Sequence, residues 1–251
     1  MNKILIVTHL GLGDSIFCIS LINYFLKQNM EIEFICKKNN VDNLKYIFQN
    51  KKKNITFLEV VDKNEALKIC NLKNNYNTIY KSGIYSDKKI KSKNFPFFIY
   101  DDINISRDIL KNNFDIISTN KSIDLYSLIK DKKYIIVCND TSKGDLFNIN
   151  QELNKLNLNL DKYLIINTQK NYYTKEHPKF EIAEKFVFQK IIDYKDVLIN
   201  SSKILITDSS LFCFCIQLKL KNKNNQLYIR NKFQEWTEAI HFFDNYFKII
   251  I

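Results

Sequence analysis

The strongest constraint on the fold is the alternation of short β-branched runs with segments of helical periodicity. The run ILIV at 4–7 is continuously apolar, as in a strand buried on both faces of a parallel sheet. In residues 15–28, which follow, apolar side chains recur at helical spacing. Further strands are predicted at 32–36, at 55–61 and in NTIYKSG, with short helices between them. This alternation predicts a parallel sheet with right-handed crossovers.

The same pattern restarts in the second half of the chain. KYIIVCND (133–140) and KILITD (203–208) are predicted as buried strands that end in polar loops, and NQLYIR as a last strand. The stretch 84–125 is less regular, and we interpret it as the end of the first half plus a connection. We therefore predict an α/β protein of two Rossmann-like α/β/α domains that face each other across a cleft. The predicted divisions are 1–125, 126–235 and a terminal helix at 236–251 that could pack back on the first domain.

Composition argues against several other classes of protein. Of the 251 residues, 45% are hydrophobic and 26% are charged, which is ordinary for a globular chain. No apolar run approaches the roughly 18 residues of a membrane span, so no transmembrane segment is expected, while peripheral contact with a membrane stays open. The apolar run in MNKILIV is too short for the hydrophobic core of a signal peptide. None of the six cysteines forms a CxxC pair, which predicts free thiols, a cytoplasmic location and no metal site.

The net charge of +11 raises the question of a nucleic-acid partner. The excess is almost all Lys, spread among Asn and Ile along the whole chain, as biased codon usage would produce. No RNP, zinc-finger or helix-turn-helix signature is present. We expect no nucleic-acid partner, and a steep salt dependence of DNA or RNA affinity would be the sign of one.

The glycines mark candidate ligand loops, because the chain contains only four of them. Two lie in LGLGDS, directly after the first strand, and Gly144 follows the first strand of the second half. Glycine allows a positive φ and the close approach of a ligand, and such loops lie where open α/β sheets bind ligands. Ordinary tight turns are the alternative, since GLGD is not the GxGxxG dinucleotide fingerprint. The residues expected to bind a substrate in the first loop are His9, Gly11, Leu12 and Gly13.

Asp14, at the end of the first loop, admits two roles. Asp is a favoured helix cap, so Asp14 is a candidate N-cap for the predicted helix 15–28. A carboxylate that faces a cleft is also a candidate general base. The residue type and its place in the sequence leave both roles open.

Two polar segments of the second half are suited to bind phosphate. Asp208, Ser209 and Ser210 lie where a buried strand meets a helix, so the two serine hydroxyls and the helix amides are suited to a diphosphate. A plain N-cap is the alternative for this segment. The other segment follows the strand at 133–140 and offers two hydroxyls and an ammonium group. Its residues are Thr141, Ser142, Lys143 and Gly144.

Together these motifs resemble a known enzyme family. KILIVTHLGLGDSIFCISLINYF resembles the opening of the ADP-heptose lipopolysaccharide heptosyltransferases and of related glycosyltransferases of the GT-B architecture. In that family a strand runs into a G(L/M)GD loop whose Asp is the proposed catalytic base, and Asp14 matches that position. The segment that ends in DSS (208–210) looks like the family's donor-site stretch, with D(T/S)G or DSS between a strand and a helix.

The chain is more similar still to a little-characterised group of short glycosyltransferase-like proteins. That group has a VHDxxSRG-like loop after a strand and, later, an FDY…DSSF segment. The counterparts in this chain are VCNDTSKG (137–144), IDY (192–194) and DSSLFC (208–213), and SRD (106–108) also fits.

The chain departs from these patterns at three positions. Cys138 stands where the short group has His, and Lys143 stands where it has Arg, which keeps the charge but loses the bidentate fork. Cys213 stands where the heptosyltransferases have a His after DTG. These changes leave the donor open, and they leave room for an inactive relative.

The resemblance implies transfer of a sugar from a nucleotide-sugar donor to a glycan or another hydroxyl acceptor. The first half would bind the acceptor, with Asp14 as the base, and the second half would bind the donor diphosphate. The reaction would invert the anomeric centre and would need no metal and no further cofactor. The alternative is a non-catalytic relative that binds a nucleotide or a nucleotide sugar.

Overall fold

The computed structural model describes residues 2–49, 54–71, 75–86, 95–139, 147–222, 226–229, 237–243 and 247–250. Contacts divide the chain into two compact units. The first comprises Met1–Ile116 with Glu235–Ala239, and the second comprises Ile117–Gln234 with Ile240–Ile251. Each unit is built around a parallel sheet, which confirms the predicted α/β class.

The sheet of the first unit has the order β3-β2-β1-β4, and every neighbouring pair is parallel. Its strands are β1 (Lys3–Val7), β2 (Glu31–Lys37), β3 (Ile55–Val60) and β4 (Thr78–Lys81). The predicted first strand is therefore central. Leu5 and Val7 are fully buried there, as the continuous apolar run requires.

Six helices in the described part of the first unit connect and cover this sheet. They are α1 (Leu12–Phe17), α2 (Ile19–Lys27), α3 (Val41–Ile47), α4 (Lys63–Cys70), α5 (Phe98–Asp101) and α6 (Asp108–Asn112). Two buried hydroxyls fasten the irregular middle stretch to the first helices. The Ser20 hydroxyl donates to the Leu110 carbonyl at 2.8 Å, and the Tyr100 hydroxyl donates to the Phe17 carbonyl at 2.9 Å.

The sheet of the second unit has the order β6-β5-β7-β8-β9 and is also parallel throughout. Its strands are β5 (Tyr134–Cys138), β6 (Leu164–Asn167), β7 (Lys203–Ile206), β8 (Gln226–Ile229) and β9 (Phe247–Ile250). The strand predicted at the start of the second half is central in this sheet. Ile135, Ile136 and Val137 are fully buried.

The remaining helices described are α7 (Asn120–Ser127), α8 (Ile149–Asn154), α9 (Phe180–Glu184), α10 (Lys195–Ile199), α11 (Ser210–Cys215) and α12 (Thr237–Phe242). The boundary between the two compact units lies after Ile116, whereas the sequence prediction placed the domain boundary after residue 125. Two hydrogen bonds at the start of α7 explain why the boundary lies before this helix. Thr119 donates to Asp193 at 2.6 Å, and Ser122 donates to Asp196 at 2.7 Å, so α7 is fastened to the second unit.

The C-terminal region differs from the single helix predicted for 236–251. It contains the short helix α12 and then the strand β9, which pairs in parallel with β8. The β-branched run at the end of the chain favours a strand over a helix. Glu238 of α12 accepts from Arg107 at 2.9 Å within the first unit.

None of the helices in the described ranges has the length and apolarity needed to cross a membrane.

Both sheets have a topological switch point beside their central strand. The strand order reverses between β1 and β4 in the first unit and between β5 and β7 in the second. In open α/β sheets, ligands bind in the crevice outside the carboxyl ends of such strands. The loops that follow these four strands are therefore where a site is expected.

Candidate functional site

The first crevice brings the loop after β1 against the loop after β4. His9 lies after β1, and its Nε2 accepts a hydrogen bond from the backbone amide of Ile84 at 3.0 Å. The amide of Gly83 donates to the buried Asp102 carboxylate at 2.7 Å. The His9 ring also packs on Phe98, with 5.2 Å between the ring centroids. These contacts fix both loops and the position of the imidazole.

Gly83 is required for this arrangement, and the sequence analysis did not select it. Its φ is +63°, in the left-handed region, and a Cβ atom there would lie 2.3 Å from Cδ2 of His9. A side chain at this position would be strained and would also displace the imidazole. The signal was present in the sequence, since Gly83 is one of only four glycines and ends the predicted strand NTIYKSG.

Asp14 is not the N-cap of its helix. The first helix begins at Leu12, three residues earlier than the predicted start of the helix, and its N-cap is Gly11. Asp14 and Gly13 therefore lie in the first turn, where a carboxylate interacts favourably with the helix dipole. A Cβ atom on Gly11 would lie 2.4 Å from Oδ2 of Asp14, so the carboxylate folds back over this glycine.

His9 and Asp14 approach each other across the first loop. Nδ1 of His9 lies 3.9 Å from Oδ1 of Asp14, with 38% of the His9 side chain and 18% of the Asp14 side chain exposed. Burial lowers the pKa of His9, the Asp102 carboxylate raises it, and the nearby Lys63 ammonium lowers it. The net shift is downward, so the imidazole is neutral at pH 7.

The second crevice contains a pocket of about 310 Å³ within the second unit. Its wall includes Asp208, Ser209 and Ser210, which the sequence predicted to bind phosphate. Ser209 is the N-cap of α11, and its hydroxyl accepts from the Phe212 amide at 3.2 Å. The capping role and the pocket role therefore coincide at Ser209. The other lining residues are Cys138, Thr168, Gln169, Phe188, Gln189, Ile191, Tyr194 and Leu211.

Phe188 is an exposed aromatic side chain at this pocket that the sequence analysis missed. Its side chain is held out of the core at 79% exposure, and its φ is +53°, which is rare for a bulky residue. The Phe188 amide donates to the Thr168 carbonyl at 2.9 Å. The Tyr194 hydroxyl accepts from the Gln189 amide at 3.1 Å and donates to the Phe186 carbonyl. Burial raises the pKa of Tyr194, which keeps this hydroxyl protonated.

The other predicted residues have different outcomes. Thr141, Ser142, Lys143 and Gly144 lie outside the described residues. Cys138 is buried, and its sulfur lies 3.6 Å from the Ser209 hydroxyl. Cys213 is also buried, on α11.

The SRD segment has a structural role. The Arg107 guanidinium forms two hydrogen bonds with Asp101, at 2.8 and 2.6 Å, and one with Glu238. It also lies over the Phe97 ring, 4.4 Å from its centroid. Arg107 thus fastens α5 to α12.

Across the described ranges, no three His, Cys, Asp or Glu side chains cluster as metal ligands would.

Comparison with known proteins gives structural neighbours only. No protein-family model and no curated protein matches the sequence. The structure of a glycosyl transferase family 9 protein from Veillonella parvula is similar, with a TM-score of 0.59 and 11% sequence identity. The match covers 99% of this chain and 86% of that chain. The chain therefore has the fold of a glycosyltransferase.

Two further structures with lower scores are of TibC from enterotoxigenic E. coli. One is described as a bacterial iron-containing dodecameric glycosyltransferase, with a TM-score of 0.47 and 11% identity over 90% of this chain and 59% of that chain. The other is the dodecameric iron-containing heptosyltransferase TibC in complex with ADP-D-β-D-heptose. Its TM-score is 0.46, with 11% identity over 94% of this chain and 61% of that chain.

Proposed function

We propose that this protein is a glycosyltransferase that moves a sugar from a nucleotide-sugar donor to a hydroxyl group of an acceptor. The observation that carries the proposal is the position of the polar segments. Asp14 lies at the switch point of the first sheet, and Ser209 lies at that of the second. The two segments that resemble the family are thus at the two places where such sheets bind ligands. The fold shared with a family 9 glycosyltransferase supports the same proposal.

The second unit would bind the donor. The hydroxyls of Ser209 and Ser210 and the predicted segment Thr141–Gly144 would hold the diphosphate, with Lys143 offsetting its charge. Gln189 also lines this pocket, with its amide nitrogen donating to the carbonyls of Lys185 and Val187, and Phe188 offers a flat apolar face. Aromatic side chains stack on nucleobases with little sequence preference. This set suits a nucleoside diphosphate and leaves the base unspecified.

The first unit would bind the acceptor in the loop that runs from His9 to Asp14. Asp14 would take the proton of the acceptor hydroxyl as the oxygen attacks the anomeric carbon of the donor. The nucleoside diphosphate would leave from the opposite face, so the configuration at that carbon would invert. In this proposal the protein groups of the donor pocket stabilise the leaving diphosphate, and no metal takes part.

A second candidate is a non-catalytic protein that binds the nucleotide or nucleotide sugar. The observation in its favour is the chemistry at two positions where relatives have His. Cys138 and Cys213 are buried thiols in this chain, and neither can donate or accept a proton as imidazole does near pH 7.

The cytoplasmic location inferred from the free cysteines remains a prediction.

Two experiments test the proposal, first for nucleotide binding and then for turnover. Thermal shifts would be measured with ADP, UDP, GDP and their sugar conjugates, since a ligand at 100 times its Kd stabilises by about 2.7 kcal/mol. Stabilisation by one nucleotide series, followed by slow release of nucleoside diphosphate from its sugar conjugate, is the expected result. Binding without turnover on any acceptor would favour the second candidate. No stabilisation by any nucleotide or conjugate would contradict both.

A further inference from the structure

His9 has one nitrogen engaged by the backbone and one directed at Asp14. The amide of Ile84 donates to Nε2 at 3.0 Å, so Nε2 must carry a lone pair. In the neutral ring the proton is then on Nδ1, and Nδ1 lies 3.9 Å from Oδ1 of Asp14. The contact with the β4 loop thus selects the tautomer whose N–H faces the carboxylate.

The imidazole is held in this orientation from both sides. Because Gly83 has no side chain, Cδ2 and Nε2 of the ring can approach its backbone closely. A Cβ atom on Gly83 would lie only 2.3 Å from Cδ2 and 2.4 Å from Nε2. Phe98 packs on the ring with a centroid distance of 5.2 Å. A ring flip would lose the Ile84 bond and would turn Nδ1 away from Asp14.

The charged groups around His9 leave it neutral near pH 7. Burial lowers the pKa of His9, the Asp102 carboxylate after α5 raises it, and the Lys63 ammonium on α4 lowers it, so that the pKa falls below its usual value. The Asp14 carboxylate on α1 faces the ring at 3.9 Å. Protonation would also place an N–H of the ring against the N–H of Ile84. The neutral ring therefore presents its Nδ1–H towards Asp14 at 3.9 Å, and its Nε2 is not available as a base.

We propose that His9 is a positioning residue, which uses its Nδ1–H to orient the Asp14 carboxylate and to favour its ionised form. The step to catalysis rests on the proposed function, in which Asp14 accepts the proton of the acceptor. The 3.9 Å separation is longer than a hydrogen bond, so the proposal requires the Asp14 side chain to rotate over Gly11 towards Nδ1. Gly11 and Gly83 then have matched purposes, because each leaves room for one member of the pair.

The first test observes the ring in the wild-type protein. Nitrogen-15 NMR of the His9 ring should show the proton on Nδ1 at pH 7.5, with His9→Gln used to assign the signals. A proton on Nε2, or rapid exchange between both tautomers, would overturn the proposal.

The second test compares two amide replacements of the ring. In His9→Asn the amide nitrogen occupies the place of Nδ1 and can still donate to Asp14, whereas in His9→Gln the amide takes the place of Nε2 and can only replace the bond to Ile84. The carboxyl titration of Asp14, followed by carbon-13 NMR and assigned with Asp14→Asn, should move to higher pH in His9→Gln and stay near wild type in His9→Asn. Equal midpoints in the two variants would overturn the proposal.

This titration is independent of any transfer reaction. If the His9 variants behave as expected but Asp14→Asn leaves transfer intact, then the pairing stands and the proposed role of Asp14 as the base fails. If Asp14→Asn abolishes transfer while the two His9 variants titrate alike, the positioning role fails and the proposed function stands.

Discussion

Gly11 and Gly83 both make room for a side chain of the first crevice, but their backbones differ. Gly11 has φ −68° and ψ 147°, which any residue can adopt, and its hypothetical Cβ atom meets only the flexible end of Asp14. Gly83 has a φ of +63°, and its hypothetical Cβ atom meets the fixed ring of His9. The same substitution should therefore have different effects at the two positions.

We expect Gly83→Ala to lower the free energy of unfolding by about 2–4 kcal/mol, from left-handed strain and overpacking. Gly11→Ala should cost less than about 1 kcal/mol, chiefly because Ala is a poor N-cap, while it displaces the Asp14 carboxylate and lowers transfer. Urea unfolding of both variants measures the difference in stability. A larger loss at Gly11 than at Gly83 would contradict the described geometry of the two loops.

The lowered pKa of His9 also predicts a pH dependence of stability. The unfolded chain takes up a proton near pH 6.5, whereas the folded protein takes it up only at lower pH. The stability that His9 contributes is therefore complete above about pH 6.5 and is lost as the pH falls towards the folded pKa.

Melting temperatures between pH 7.5 and 5 measure this effect. The wild-type protein should lose more stability over this range than His9→Gln, which has no titrating ring at position 9. The control is His177→Gln, a replacement of an exposed histidine. An identical pH dependence in the wild type and His9→Gln would show that the His9 pKa is not lowered on folding.

The sequence predicted most strands correctly, because a continuous apolar run differs clearly from helical periodicity. It did not predict the short helices α5, α6 and α7, because residues 84–125 show no regular apolar period. The central strands at 4–7 and 134–138 are continuous β-branched runs, and both are fully paired on two sides. The terminal segment was predicted as one helix because its aromatic residues also fit a helical period. Pairing of β9 with β8 is a long-range contact, which local periodicity does not encode.

The candidate site was only partly predictable for a related reason. Asp14 and Ser209 follow recognisable strand–turn–helix patterns, so their position at a sheet edge could be predicted. The contribution of Gly83 depends on the contact of its loop with His9, 74 positions away in the chain, and Phe188 depends on the bonds made by Tyr194. Such contacts arise from sheet order, and the sequence pattern alone did not determine that order.

Ser209 tests whether one residue both caps α11 and serves the donor pocket. Ser209→Ala removes the cap on Phe212 and should cost about 1 kcal/mol of stability, with weaker binding of nucleoside diphosphate. Ser209→Asp keeps a cap but adds a negative charge at the pocket, so stability should be kept while diphosphate affinity falls at least about tenfold.

The matched control is Asp62→Ala, which removes the cap of α4 in the first unit. It should lower stability and leave nucleotide affinity unchanged. Urea unfolding and titration calorimetry give the two readouts. Unchanged affinity in Ser209→Asp would remove Ser209 from the donor site.

In the proposed reaction, the two units of the molecule carry out different steps. Changes at the pocket of the second unit should alter nucleotide affinity, and changes at Asp14 should alter transfer alone. The net charge of +11 adds a general attraction to anions, so binding should be compared at several salt concentrations. A nucleoside diphosphate should show a shallow dependence on salt, whereas DNA or RNA bound through many phosphates would show a steep one.

The most direct test of the central claim is the transfer rate of Asp14→Asn, measured beside its affinity for the nucleoside diphosphate. Asn keeps the shape of the side chain but cannot accept the acceptor's proton, so transfer should fall by about 10²–10⁴-fold. Nucleotide affinity and melting temperature should stay near wild type, as they should in the control Asp124→Asn on the exposed face of α7. Near-wild-type transfer by Asp14→Asn would contradict the account, because the first crevice would then hold no catalytic base at the position proposed for it.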